Sequence, residues 1–574
     1  IIAHRHGHYA SGKVLIQPGQ QERRWSSQEP ATAEQVVERA ERQERRGWLP
    51  QAIETLQDGW KRFGEDQRIG LALGIARIKQ GLFEQARDLL EPIVAQPTQP
   101  GDVDAARYYL ALAIARLGNA DAAERLWRQV NRGGDFWPAA QIELAQLAVS
   151  QARYRQAIEY VGPLLGGDRP HPQACVLACF ALRKLGRLDE ASRQVEAALA
   201  QDPLMLLAQT EQALLSGQPD LHGLSALRDE QRRIEAACWY LAVGEHRIAE
   251  ELLRPPAGGS ASPTALYLRA LALERAGRNK EAARLRRRAS RMNPRGHMPN
   301  RLEELEAFDR AVAANSDDPV AWYLRGLVLF SRNRRDQAVA AWKRAVQLRD
   351  DNAFAHRCLA AAIEADEPGA GLADLERAVQ LEPSVAGLYA DLDEAYQRAG
   401  ILDKRITILE QAVARLPNRS GLAHRLGQAY FDAGQYGRAI SCYRSHRFHV
   451  AEGRYELHDH YVMALMGRGL KRLGESDYDA ALQDFSAALE YPENMSIGRP
   501  ANPHGEAMIH YWRAVALSGL GRTGQARQAL QQAARPEPLG RRLGPWAIGR
   551  LFSAVHQALA CQRLGQSERL EQIL

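Results

Sequence analysis

The chain has 574 residues, of which 45% are hydrophobic and 25% charged, and its 75 basic and 69 acidic side chains leave a net charge of +6. That length exceeds what one compact core usually holds. The near balance of charge over it makes no general case for a nucleic-acid partner, since a phosphate backbone rewards clustered cations. No run of about 18–20 apolar residues is present, so no membrane span is expected, and no secretory signal is visible.

The first segment, 1–31, reads as an extended junction. It opens on Ile1 rather than Met and resembles the interior of a longer chain, so the sequence is expected to be the C-terminal part of a larger protein. His4, His6 and His8 alternate and would share one face of a strand. No local carboxylate or cysteine completes a metal set, and a strand remnant of an upstream domain is the preferred reading. Gly7 to Val14 nearly spells a phosphate-binding loop. It lacks the Ser or Thr that would hold magnesium, and Pro18 stands where a helix should follow.

From residue 32 a turn glycine followed five residues later by a small residue recurs. Gly47 with Ala52, Gly81 with Ala86, Gly118 with Ala123 and Gly186 with Ala191 show it, and alanine replaces the glycine at Ala152 with Ala157. Residues 32–256 form a first array on this basis, with only loose helical spacing at 204–230. A hinge and irregular repeat occupy 257–318. The loop 255–263 (Pro-Pro-Ala-Gly-Gly-Ser-Ala-Ser-Pro) opens it, Gly277, Ala282, Ala289 and Pro294 keep the offsets, and 295–318 holds one helix without a clear partner. A basic run (Arg278, Lys280, Arg284, Arg286, Arg287, Arg288, Arg291) lies here and reads as a solvated face.

Residues 319–445 are the most regular. Trp322, Gly326, Ala338, Trp342 and Ala345 form one unit. Leu392, Tyr396, Gly400, Ala412 and Pro417 form another, and Leu426, Gly427, Tyr430, Gly434, Ala439 and Tyr443 the one that follows it. Residues 446–574 continue with atypical repeats (Gly469, Ala481, Phe485, Ala488; Gly521, Ala526) around two long insertions. Small residues where helices cross, bulky ones beside them and a period of about 34 residues resemble the tetratricopeptide repeat, two antiparallel helices per unit. The expected fold is therefore all-α, a tetratricopeptide-repeat superhelix (α-solenoid) with a short extended N-terminal remnant. Such units gain stability by stacking on their neighbours. The first helix of each unit lines the concave side. Outward positions on those helices are Tyr323, Phe330, His424, Gln428, Phe431 and Tyr511, the candidate surface for a peptide-binding adaptor; inter-repeat packing is the competing explanation for the aromatics.

Six scattered cysteines (Cys175, Cys179, Cys238, Cys358, Cys442, Cys561) read as small buried residues of a cytoplasmic protein. Cys175 and Cys179 would share a helix face, but two sulfurs fall short of a four-ligand zinc site. No metal or cofactor is expected.

The insertions 446–460 and 491–500 bring histidines, acids and an arginine into an otherwise helical pattern. If they emerge on one edge, Phe448, His449, Glu452, His458, His460, Glu493, Asn494 and Arg499 would suit hydrogen bonding to a polyol or a carboxylate. Paired acids could also perform glycosidic acid–base work at a suitable separation. Clamping the end of the array, or docking another domain, is the alternative.

The Phe-His-x-x-Glu-Gly stretch at 448–453 and the Tyr-Pro-Glu-Asn-x-x-x-Gly-Arg stretch at 491–499 resemble a family of large bacterial carbohydrate-associated proteins. In that family a β-rich domain of unknown function, similar to sugar mutarotases, precedes a tetratricopeptide array. His8 to Lys13 and Glu22 to Trp25 look like the junction between the two parts. The family's first motif usually carries Trp before the Glu and more glycine after it, where this chain has Ala451 and Arg454. The resemblance implies a cytoplasmic protein linked to sugar metabolism. Its partner would be a protein, the missing upstream domain or a sugar; this part is read as an interaction scaffold, while a full-length parent could be a carbohydrate-active enzyme.

Overall fold

A computed structural model describes residues 30–573 except 65, 98–99, 168, 218–220, 222–228, 257, 295–297, 365–366, 450–454, 501–505 and 536–546. The junction with its three histidines and glycine-rich loop lies outside the described residues. Those described form helices and connecting turns, with no strand among them.

Local chemistry sets the helix ends. Thr32, Asn119, Asp229, Ser262, Asp318 and Asp477 each accept a backbone N–H of the helix they precede. Such caps satisfy donors that the first turn leaves open. Between the two helices of many pairs the chain turns through a left-handed residue. Gly434 is typical, with φ of 68°: its N–H bonds Phe431 O and the next N–H bonds Tyr430 O, closing the helix. Ala152 adopts φ of 57° in the equivalent turn, so alanine has replaced the glycine without changing the geometry.

The chain divides into two compact units, 1–355 and 356–574. The division falls inside the stretch 319–445 that the sequence presents as one regular array. In each unit consecutive helices pack pairwise, and first helices also pack on the first helices of adjoining pairs. Alanines fill the crossings: Ala338, Ala412 and Ala439 are fully buried. Helix Leu302–Ala314, which the sequence leaves unpartnered, packs on both Pro263–Arg275 and Pro319–Ser331. Phe308 meets the Tyr267 ring edge-on at 5.6 Å, and Tyr267 donates its hydroxyl to Asp318 at 2.8 Å. Asp318 thus caps one helix and fixes another.

Within the 1–355 unit the chain also returns to its own beginning. The Gln80 side chain donates to Asn333 O at 3.1 Å, and Arg332 donates to Lys79 O at 3.1 Å. Arg116 pairs with Glu303 at 3.2 Å. A Cβ on Gly81 would lie 2.8 Å from the Leu302 side chain.

Five of the six cysteines are buried, Cys358 is half-buried, and none is paired with another. Burial pushes the Cys358 thiol up to about 12. No described helix is long and apolar enough to cross a membrane.

Candidate functional site around the two insertions

The two insertions meet in the 356–574 unit. Helix Tyr436–Ser445 ends at His446, whose extended backbone starts the first insertion. The Phe448 N–H donates to Asn494 O at 2.7 Å, and Ser496 Oγ donates back to Phe448 O at 2.8 Å. The Asn494 amide donates to Tyr443 O at 2.8 Å and His446 O at 2.7 Å. Phe448 and Met495 are buried beside this junction. Asn494 therefore serves as a staple between two loops about fifty residues apart. Asn494→Ala leaves those carbonyls without their donor and should destabilise this unit by about 1–3 kcal/mol. A urea titration followed by circular dichroism reads it; an unchanged midpoint would mean that the loops hold without it.

His458 stands one helix further on, in Glu456–Gly474. Its ring stacks on Tyr491 at 3.9 Å and 6°, and its Nε2 lies 2.9 Å from Glu490 O, where it donates a hydrogen. Burial lowers its pKa and favours the neutral ring. Arg499 pairs with Glu506 at 2.7 Å, while Glu493 and His449 are exposed. Glu452 lies outside the described residues. Phe448, Asn494 and His458 are thus spent on joining the loops, and nothing described brings Glu493 together with a second acid.

A second cluster lies on the first helices themselves. His424 Nε2 is 2.9 Å from His460 Nδ1, and the Gln428 amide is 3.1 Å from the His460 ring. The two rings come from helices Ser420–Asp432 and Glu456–Gly474. Burial, then His460 and Arg425, push His424 down to about 4. Burial also lowers His460, against the pull of Asp432 and Glu456. Asp459 is raised to about 6 by burial and by Glu456.

A neutral pair can share one N–H; two imidazolium rings would have two donors and no acceptor. The folded pKa of His424 lies below the ordinary value near 6.5. The unfolded chain therefore takes up the proton first, and this contribution to stability is whole above about pH 6.5 and is lost as pH falls toward 4. The urea midpoint should drop over that window, and His424→Gln should flatten the drop. An identical pH profile in the variant would remove the pair as its source.

The other candidates are spread along both units. Tyr323 and Tyr511 are buried rather than outward, because neighbouring helices cover them. Phe330 packs at 5.5 Å from Trp342, and Phe431 at 5.6 Å from Tyr436. His424 and Gln428 are half-buried on one helix.

A buried charge network beside His424 was not singled out from the sequence. Asp393, fully buried, accepts from Arg405 at 2.6 Å and from Arg425 at 2.9 Å. Arg405 is itself 3% exposed and reaches Asp432 at 2.5 Å, while Arg425 reaches Glu394 at 2.7 Å. The only signal in the sequence is an acid in a helix interior beside the core positions Leu392 and Tyr396. Asp484 repeats it, held by Arg468 and Arg472 at 2.7 and 2.8 Å. Among the described residues no three His, Cys, Asp or Glu are grouped to hold a metal ion.

Comparison with known proteins recognises the repeat and does not show the carbohydrate-associated family. Residues 71–130 and 305–353 match one tetratricopeptide-repeat family model, and residues 421–445 match another. Among solved structures, the APC/C hetero-tetramer Cut9-Hcn1 aligns at 15% identity over 86% of this chain and 96% of that one, with a TM-score of 0.23. YrrB, described as a TPR protein with an unusual peptide-binding site, aligns at 15% identity over 40% of this chain and 99% of its own, with a TM-score of 0.26. Yeast Tom70 aligns at 14% identity over 88% and 97%, with a TM-score of 0.22. Scores that low settle neither helix arrangement nor ligand. The described residues are thus all-α, and tetratricopeptide repeats are recognised within them, the paired helices and turn geometry agreeing with a superhelix of such units.

Proposed function

We propose that the protein is an interaction scaffold, and that the first helices of the 356–574 unit hold an extended segment of a protein partner. The observation that carries this reading is the row of half-buried polar side chains on successive first helices: Arg425, His424, Gln428, His460 and Asp459. They carry donors (Arg425, Gln428), imidazoles (His424, His460) and an acceptor (Asp459), and an extended main chain needs both donors and acceptors met along its length. The joined insertions support the reading by bracing the helix that carries His460. Six unpaired cysteines accord with a reducing compartment such as the cytoplasm.

The test is selection from a displayed peptide library on the whole chain, followed by affinity measurement. Selected peptides should lose at least tenfold in affinity on Gln428→Leu with an unchanged melting temperature. Equal binding by the variant would reject this face. A panel of sugars in a thermal-shift assay should be flat. Reproducible stabilisation by one sugar class, lost in Arg499→Ala, would instead favour a carbohydrate site at the insertions; a ligand at about 100 times its Kd stabilises by about 2.7 kcal/mol.

A further inference from the structure

Helix Asn279–Ala289 carries the densest run of cations in the chain, and its members divide into two sets. Arg278 is held by Glu281 at 2.7 Å and Glu250 at 2.9 Å, and Arg286 by Glu274. Arg284, Arg287, Arg288 and Arg291 are exposed, and they line one open hollow of about 370 Å³. None of these four guanidinium groups makes an ion pair or hydrogen bond among the described residues. The nearest acid to Arg284 along the helix is Glu281, which Arg278 already holds.

Spacings of three and four place Arg284, Arg287 and Arg288 on one helix face, with Arg291 in the turn just beyond its end, and like charges so spaced repel by about 0.2–0.5 kcal/mol per pair. Arginines near a helix C-terminus can offset this by covering the last carbonyls. Here another residue does that: Arg349 donates to Ser290 O at 3.3 Å and to Met292 O at 3.2 Å. The helix dipole offsets part of this for Arg287 and Arg288 in the last turn, but no acid among the described residues neutralises the face, and an anion would relieve the repulsion.

We infer that Arg284, Arg287, Arg288 and Arg291 form a docking surface for an acidic segment of a partner protein, one whose clustered carboxylate or phosphate groups enter the hollow. All four are arginine, the side chain whose planar fork pairs with either group through two hydrogen bonds. Arg284 and Arg288 lie about 6 Å apart along the helix axis, and Arg291 follows in the turn just beyond the helix end. On an extended peptide, alternate side chains recur every ~7 Å, so two or three acidic residues span the face. A nucleic-acid strand fits less well, because Glu281 stands one turn before Arg284 and a longer phosphate track would run onto it. This surface stands apart from the first-helix face proposed above, so either can fail alone.

Fluorescence anisotropy on the whole chain tests it with four labelled probes: octaglutamate, octaglutamine, a Gly-Ser peptide with two phosphoserines, and an oligothymidylate matched in charge to octaglutamate. Octaglutamate should bind and weaken steeply with salt, while octaglutamine should not bind. Changing the four together (Arg284→Gln, Arg287→Gln, Arg288→Gln, Arg291→Gln) should lower that affinity at least tenfold with helical circular dichroism retained. The pair Arg287→Gln and Arg291→Gln should give an intermediate loss, which guards against misfolding of the fourfold variant. Removing four cations elsewhere (Arg42→Gln, Arg45→Gln, Arg46→Gln, Lys61→Gln) should change nothing. Tighter binding of the phosphoserine peptide would support the surface and assign phosphate as the preferred group; tighter octaglutamate would support it and assign carboxylate. No binding of either peptide, equal loss in the control variant, or tighter binding of the oligothymidylate than of both peptides would overturn the inference.

Discussion

Asp393→Ala should destabilise the 356–574 unit by about 3–5 kcal/mol, the usual consequence of removing one partner from a buried ion pair. The reason is what stays behind. Arg405 is 3% exposed and keeps only Asp432, which is itself partly open to water, so its guanidinium loses the one fully buried anion beside it. Arg425 retains Glu394 near the surface and should suffer less. Chemical denaturation followed by circular dichroism gives the difference. Replacing Asp393 and Arg405 together by leucine and methionine should recover much of the loss, because the two charges that lose a partner, Arg425 and Asp432, are both partly open to water and no fully buried charge is left stranded. If the double variant were as unstable as Asp393→Ala, loss of packing rather than a stranded charge would be the cause.

The second large effect concerns the helix crossing at Gly326. A methyl there would lie 2.5 Å from Cδ1 of Trp342, whose ring is 1% exposed and whose indole N–H donates to Tyr323 O at 3.1 Å. The ring has no room to retreat, so Gly326→Ala should cost about 1–3 kcal/mol through overpacking. Trp342→Ala should cost about 3–5 kcal/mol by leaving a cavity. Because the two changes share one space, the double variant should be less damaged than the sum of the singles. Strict additivity in a double-mutant cycle would show that the glycine is not there for the indole. The same pairing recurs at Gly427 with Tyr443 and at Gly469 with Phe485, so the geometry is a property of the repeat.

That crossing could be read from the sequence because both halves of it lie within one unit of the repeat. Gly326 and Trp342 are 16 residues apart, and so are Gly427 and Tyr443; the spacing alone predicts the contact. Asp393 could not be read in this way, since its partners Arg405 and Arg425 come from the next helix and the next unit. An acid in a helix interior looks the same on paper whether water or arginine surrounds it. The insertions behave alike: histidine and asparagine at 458 and 494 suggested a ligand, whereas the structure gives their hydrogen bonds to Glu490, Tyr443 and His446 main chain. Polar loop residues serve the backbone as readily as a substrate, and only the three-dimensional neighbours separate the two. Helix Leu302–Ala314 lacked an adjacent partner in sequence and found one on each side instead.

The bonds from Lys79 and Gln80 to Arg332 and Asn333 join positions 253 residues apart. In an open array each repeat feels only the one before and the one after, so unfolding can spread inward from either end. A link between distant repeats changes that topology from a line to a loop. Fraying from residue 355 backward must break the contacts at 332–334 before long, and the pairs near residue 80 then lose support although their own neighbours remain intact. Opening at one site is thereby felt at another through the closure rather than along the stack. A ligand that binds across that seam would therefore stabilise helices it never touches, with a strength set by the few hydrogen bonds there.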